Sequence, residues 1–121
     1  LATVEGDLHD LGKNVVGTIL KSHGYAVTDL GKDVPTAKIL AAAGRERPDV
    51  VGLSALMTST MEEMERATRQ LKARFPEIRV MVGGASVNQA FADRIGADGY
   101  AGDAVASVRL VTRLLHGGEA R

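Results

Sequence analysis

At 121 residues the chain is near the commonest size for one compact domain, and 45% apolar against 25% charged residues suits a globular core with a solvated surface. Fifteen basic residues balance fifteen acidic ones, so no net field draws it to nucleic acid or an anionic membrane. Without cysteine it has neither disulfides nor thiolate metal sites, and any metal must be held by His, carboxylates or a bound cofactor.

No apolar run approaches the roughly 18 residues of a membrane span, and the first residues lack the basic and apolar regions of a signal peptide, so a cytoplasmic location is expected. The opening, Leu1-Ala2-Thr3-Val4-Glu5-Gly6, reads as the interior of a strand and carries no initiator methionine. Residues 1–121 are therefore expected to form one domain of a longer protein.

Short apolar runs alternate with segments of helical period, the pattern of β-α-β units feeding a parallel sheet. The first strand is the stub from Ala2 to Val4. A helix from about Leu11 to His23 follows, with Val15, Val16, Ile19 and Leu20 on one face and Gly24 at its end. Tyr25 to Leu30 predicts a second strand, made edge-like by the polar Thr28 and Asp29. Pro35 sits in the first turn of a helix reaching about Arg45, whose core face is Ile39, Leu40 and Ala43.

Asp49 to Ser54 carries Val50, Val51 and Leu53 in near-continuous order and predicts a central strand buried on both faces. From Ser59 to Phe75 the positions Met61, Met64, Thr68, Leu71 and Phe75 step by 3 and 4, as a helix lying on a sheet requires, with Glu62, Glu63, Arg69 and Lys72 facing water. Ile78 to Val82 forms the fourth strand and ends in Gly83-Gly84. A short helix from about Val87 to Ile95, a weak fifth strand over Asp98 to Ala101, and a closing helix marked by Val105, Val108, Val111 and Leu115 complete the chain.

These elements predict an α/β fold with a doubly wound, five-stranded parallel sheet of flavodoxin or Rossmann type, in the order 2-1-3-4-5. Ligands in such sheets sit at the carboxyl ends of the strands. The loop after the first strand, Gly6-Asp7-Leu8-His9-Asp10-Leu11-Gly12-Lys13-Asn14, places an imidazole, two carboxylates and a glycine there. On physical grounds His9 is a metal ligand, a general base or a pH-sensitive group, while Asp10 is also placed to cap the following helix.

Asp7, His9 and Gly12 make the spacing D-x-H-x-x-G. Together with Ser54-Ala55-Leu56 after the third strand and Gly83-Gly84 after the fourth, in that order, the chain resembles the cobalamin-binding domain family over essentially its whole length. The form G-D-x-H-D-x-G-K-N is most similar to the cobalamin domain of methionine synthase and the corrinoid proteins of methyltransferase systems. The adenosylcobalamin-dependent mutases usually read differently there.

The resemblance implies that cobalamin binds with its own dimethylbenzimidazole displaced and His9 as the lower axial ligand of cobalt. Asp7 would accept the proton on the far ring nitrogen of His9, and Thr60, where serine is commoner, would extend that relay. Ser54, Leu56 and Thr58 match an S-x-L-x-T pattern that would line the nucleotide pocket. Gly12, Gly83 and Gly84 would let the backbone approach the tail, although turn glycines and a helix-start threonine are the plain structural alternatives.

The implied role is a methyl carrier cycling between cob(I)alamin and methylcobalamin, not catalytic alone. It would serve methyl-donor and methyl-acceptor methyltransferase modules and a reductive activation partner, with a helical cap preceding the domain. The alternatives are the cobalamin subunit of a mutase, a cobalamin-dependent sensor, and a cofactor-free receiver domain. A receiver is disfavoured because Ser54 stands where its acceptor aspartate belongs.

Overall fold

The computed structural model describes residues 1–4, 11–55 and 57–116. Four strands, β1 (Ala2–Thr3), β2 (Val50–Ser54), β3 (Arg79–Gly83) and β4 (Gly99–Tyr100), form one sheet in the order β1-β2-β3-β4, with every neighbouring pair parallel. Among the described residues five helices connect or close it: α1 (Leu11–Ser22), α2 (Thr36–Glu46), α3 (Met61–Arg74), α4 (Gln89–Ile95) and α5 (Ala104–His116), with a 3-10 turn at Thr58–Thr60 leading into α3.

The five-stranded expectation is corrected to four among the described residues, because Tyr25 to Leu30 is not a strand. The segment still runs along the outer side of β1. Leu30 N donates to Leu1 O at 2.8 Å and Val34 N donates to Thr3 O at 2.9 Å, with a lone parallel bridge between Val4 and Val34. Between those two bonds β1 advances from residue 1 to 3 while the outer segment advances from 30 to 34. The excess residues are absorbed at Gly31 (φ 99°) and Asp33 (φ 54°), both left-handed, and a double bulge of this kind cannot sustain a ladder.

Side-chain alternation sends the two faces of the sheet into separate cores. Val51, Leu53, Val80 and Val82 pack with Ile39 and Leu40 of α2, Met64 and Leu71 of α3, and Phe91 and Ile95 of α4. Met81 packs on the other face with Leu20 of α1 and Leu110 and Val111 of α5. Coverage on both faces is why β2 and β3 read as almost unbroken apolar runs.

Two helix faces differ from expectation. Val15 is 45% and Val105 59% exposed. In α1 the half-buried Val16 and buried Leu20 define the inward line, and Val15 lies about 100° off it. In α5 the inward line is Ser107, Leu110 and Val111, which turns Val105 away.

Lys72 is a further correction. Its ammonium turns inward, donating to Ile78 O at 3.0 Å and to Asp98 Oδ2 at 2.9 Å. The same Asp98 oxygen accepts Val80 N at 2.7 Å, so this cluster fastens α3 to the amino ends of β3 and β4.

Candidate functional site

The segments that follow β2, β3 and β4 meet at the carboxyl edge of the sheet, where Gly83 approaches Ala101 and Gly84 approaches Ala55. Asp7, His9, Asp10 and Leu56 lie outside the described residues. Gly12 is in the first turn of α1. Among the described residues no group of three or more His, Asp or Glu side chains is placed to hold a metal ion.

Ser54, Gly83 and Gly84 are brought together. Ser54 ends β2 directly abreast of Gly83, and Ala55 N donates to Gly83 O at 3.1 Å. The glycines answer to the chain itself. A Cβ on Gly83 would stand 2.8 Å from Ala101 O, and one on Gly84, at φ 128°, only 1.9 Å from Ala55 O. The close approach they permit is thus of one loop to the next across β2, β3 and β4.

Thr58 is exposed at the rim, and Thr60 is buried where the 3-10 turn passes into α3. The Thr60 side chain makes no capping bond to α3; its Oγ1 donates to Met57 O at 2.8 Å. Ser54 is half-buried, so Ser54, Thr58 and Thr60 differ in exposure.

The register also aligns a row of small residues. Thr3 pairs with Ser54 and Ser54 with Gly83, while Val82 pairs with Tyr100 so that Gly83 stands beside Ala101. Their side chains share the face covered by α1 and α5, because Leu1, two residues before Thr3, reaches Gly17 of α1, and Ala101 packs with Leu20, Leu110 and Val111. Thr3 is fully buried, and its Oγ1 has no hydrogen-bond partner among the described residues.

Sequence reasoning assigned no role to Lys13, which is 4% exposed and ion-paired to Asp29 Oδ1. Asp29 also accepts Gly31 N at 2.8 Å. Burial pushes the Asp29 carboxyl up, but the Lys13 and Gly31 hydrogen bonds outweigh it and hold the group below the ordinary carboxylate value. The pair ties the first turn of α1, just after the His9 loop, to the segment outside β1. A signal was present in the sequence, since Lys13, Val16 and Leu20 fall on one helical line.

A cavity of about 390 Å³, lined by Leu1, Tyr25, Val27, Val50 and Val111 among others, opens towards the opposite, amino edge of the sheet. It lies away from these loops.

A parallel α/β sheet with a histidine-bearing loop after β1 and small residues across its carboxyl edge defines a Rossmann-like ligand-binding domain. The family model described as B12 binding domain matches residues 1–109, and the chain belongs to that family. Its cofactor is cobalamin, and cobalt follows from the corrinoid. The chain is 46% identical over 117 residues to dimethylamine corrinoid protein 2 of Methanosarcina acetivorans, covering 95% of this chain and 54% of that protein.

Among solved structures it is similar to a cobalamin-binding protein from Desulfitobacterium hafniense, with TM-score 0.89 and 38% identity over 93% of this chain and 56% of that one. It is also similar to a chain of the methanol:cobalamin methyltransferase complex of Methanosarcina barkeri, with TM-score 0.88 and 36% identity over 96% of this chain and 45% of that one. The chain spans about half the length of the curated relatives it matches.

Proposed function

We propose that this domain holds cobalamin base-off, with His9 as the lower axial ligand of cobalt, and carries methyl groups between methyl-donor and methyl-acceptor methyltransferase modules. The observation that carries the reading is the D-x-H-x-x-G segment in the β1-to-α1 connection, adjoining an edge where Thr3, Ser54, Gly83 and Ala101 leave little side-chain bulk. These residues fit a corrinoid with its nucleotide tail set into the sheet: the row is small, it carries hydroxyls, and one buried hydroxyl has no described partner. The names of the relatives support the methyltransferase setting, being a dimethylamine corrinoid protein and a methanol:cobalamin methyltransferase complex.

Cobalamin, when bound, would supply a cobalt centre able to accept a methyl group and give it up. Within the chain, His9 offers one ring nitrogen to cobalt, and Asp7 accepts the proton on the other, fixing tautomer and orientation. Thr60 donates its single hydroxyl proton to Met57 O, so it joins a relay with Asp7 and His9 as an acceptor. Asp10 and Gly12 shape the turn into α1. Ser54, Leu56 and Thr58 line the nucleotide site, which Gly83 and Gly84 keep narrow by packing on Ala101 and Ala55.

The reading includes a cytoplasmic location, a reductive activation partner that restores Co(I), and the 25–34 segment in the place of a second strand, giving the order 2-1-3-4-5. The domain loaded with methylcobalamin is expected to keep its methyl group when mixed with a thiol acceptor and to release it only when an acceptor methyltransferase is added, as read from the visible spectrum. Release to the thiol by the domain alone contradicts the carrier role.

A further inference from the structure

We infer that Thr3 is a further ligand-binding residue, its hydroxyl hydrogen-bonding the polar edge of the corrinoid's nucleotide tail beside Ser54. The inference rests on the cobalamin reading above and adds a contact that the D-x-H-x-x-G, S-x-L-x-T and Gly-Gly patterns do not contain.

Thr3 is 0% exposed, and its Oγ1 finds no partner among the described residues. A buried hydroxyl without a hydrogen bond forfeits its hydration and receives nothing in return, whereas valine would fill the same volume without that penalty. A hydroxyl here is open to a polar partner from outside the described chain. Position supplies the candidate. Thr3 is the last residue of β1, it stands abreast of Ser54, and both side chains project to the face covered by α1 and α5.

The same row continues as Gly83 and Ala101, so the two hydroxyls border the part of the carboxyl edge that has least side-chain bulk. A nitrogen heterocycle joined to a ribose offers ring nitrogens and hydroxyls to such a pair, and a hydroxyl matches either by donating or accepting. Because Thr3 is covered, a tail that reaches it displaces side chains above the row.

Thr68 is the instructive contrast. Its Oγ1 is also buried without a partner, but it belongs to α3 on the other face of the sheet, whose Met64, Ala67 and Leu71 pack with Val51, Leu53, Val80 and Val82. It has no place at the carboxyl edge and serves as a control.

The test compares hydroxocobalamin, which has the nucleotide tail, with diaquocobinamide, which lacks it, by absorbance titration of the 121-residue chain. Thr3→Val is expected to weaken cobalamin binding about fivefold to tenfold, the loss of one hydrogen bond, and to leave cobinamide binding unchanged. Thr3→Ser is expected to retain most of the affinity, and Thr68→Val to alter neither titration. Should Thr3→Val fail to fold, Thr3→Ala must show the same selective loss.

An equal loss for both corrinoids, or no loss for either, overturns the role of Thr3 while leaving the cobalamin reading in place. If the unmodified chain binds neither corrinoid, the cobalamin reading itself fails, and the inference with it.

Discussion

Gly84→Ala and Gly96→Ala probe what the carboxyl edge demands of its backbone. Both glycines have positive φ, 128° at Gly84 and 84° at Gly96, so an alanine pays a conformational penalty of roughly 1–2 kcal/mol at either site. Their surroundings differ sharply. A Cβ on Gly96 meets nothing within 4 Å, while one on Gly84 stands 1.9 Å from Ala55 O, well inside the 3.0 Å that real Cβ contacts respect. Relief requires moving Ala55 away from Gly84, although Ala55 N is bonded to Gly83 O at 3.1 Å. Overpacking of this kind adds about 1–3 kcal/mol, so Gly84→Ala is expected to lower stability by about 2–5 kcal/mol and Gly96→Ala by about 1–2 kcal/mol. Urea unfolding followed by circular dichroism gives both values on one scale. Equal losses would refute the crowding argument, because the two variants would then share only the φ penalty.

The Lys13–Asp29 pair makes a pH prediction. The folded pKa of Asp29 lies below its unfolded value, so the stability it contributes is present at neutral pH and is lost as pH falls through the folded value, below about pH 4. Asp29→Asn is expected to be less stable at pH 7 and to lose less than the unmodified chain on acidification; parallel pH profiles would remove Asp29 as the source. At the other edge, Asp98→Ala takes the counter-charge from the Lys72 ammonium, which keeps Ile78 O, and removes the side-chain acceptor of the Val80 N–H. It is expected to cost about 2–3 kcal/mol in denaturant unfolding, and a loss under 0.5 kcal/mol, roughly the scale of an exposed pair, would show that the cluster is only a surface ornament.

Much of the fold was legible where one rule dominated. Val50, Val51 and Leu53 announced a doubly covered strand, and the 3-and-4 spacing of Met61, Met64, Thr68 and Leu71 announced α3 because both faces of those patterns are set by burial alone. Tyr25 to Leu30 misled because its apolar residues promise a strand while the decisive event, the double bulge at Gly31 and Asp33, follows the run. Lys72 misled because a long aliphatic stem lets an ammonium on the polar side reach back to Asp98.

The candidate site was legible as a set of segments and not as a surface. Glycine-rich turns and the D-x-H-x-x-G loop mark themselves locally, whereas the Thr3, Ser54, Gly83 and Ala101 row depends on register between strands about 50, 30 and 20 residues apart in the chain, which no local pattern encodes. Lys13 was hidden for a different reason, since a buried lysine is rare enough that composition points the other way.

The most direct test of the central claim is retention of corrinoid through His9. The domain is mixed with hydroxocobalamin, free cofactor is removed by gel filtration, and the visible spectrum is recorded beside a His9→Ala variant treated identically. The account predicts stoichiometric retention by the unmodified chain, with loss of retention or a changed axial-ligand spectrum in the variant. Equal retention with identical spectra would take His9 off cobalt.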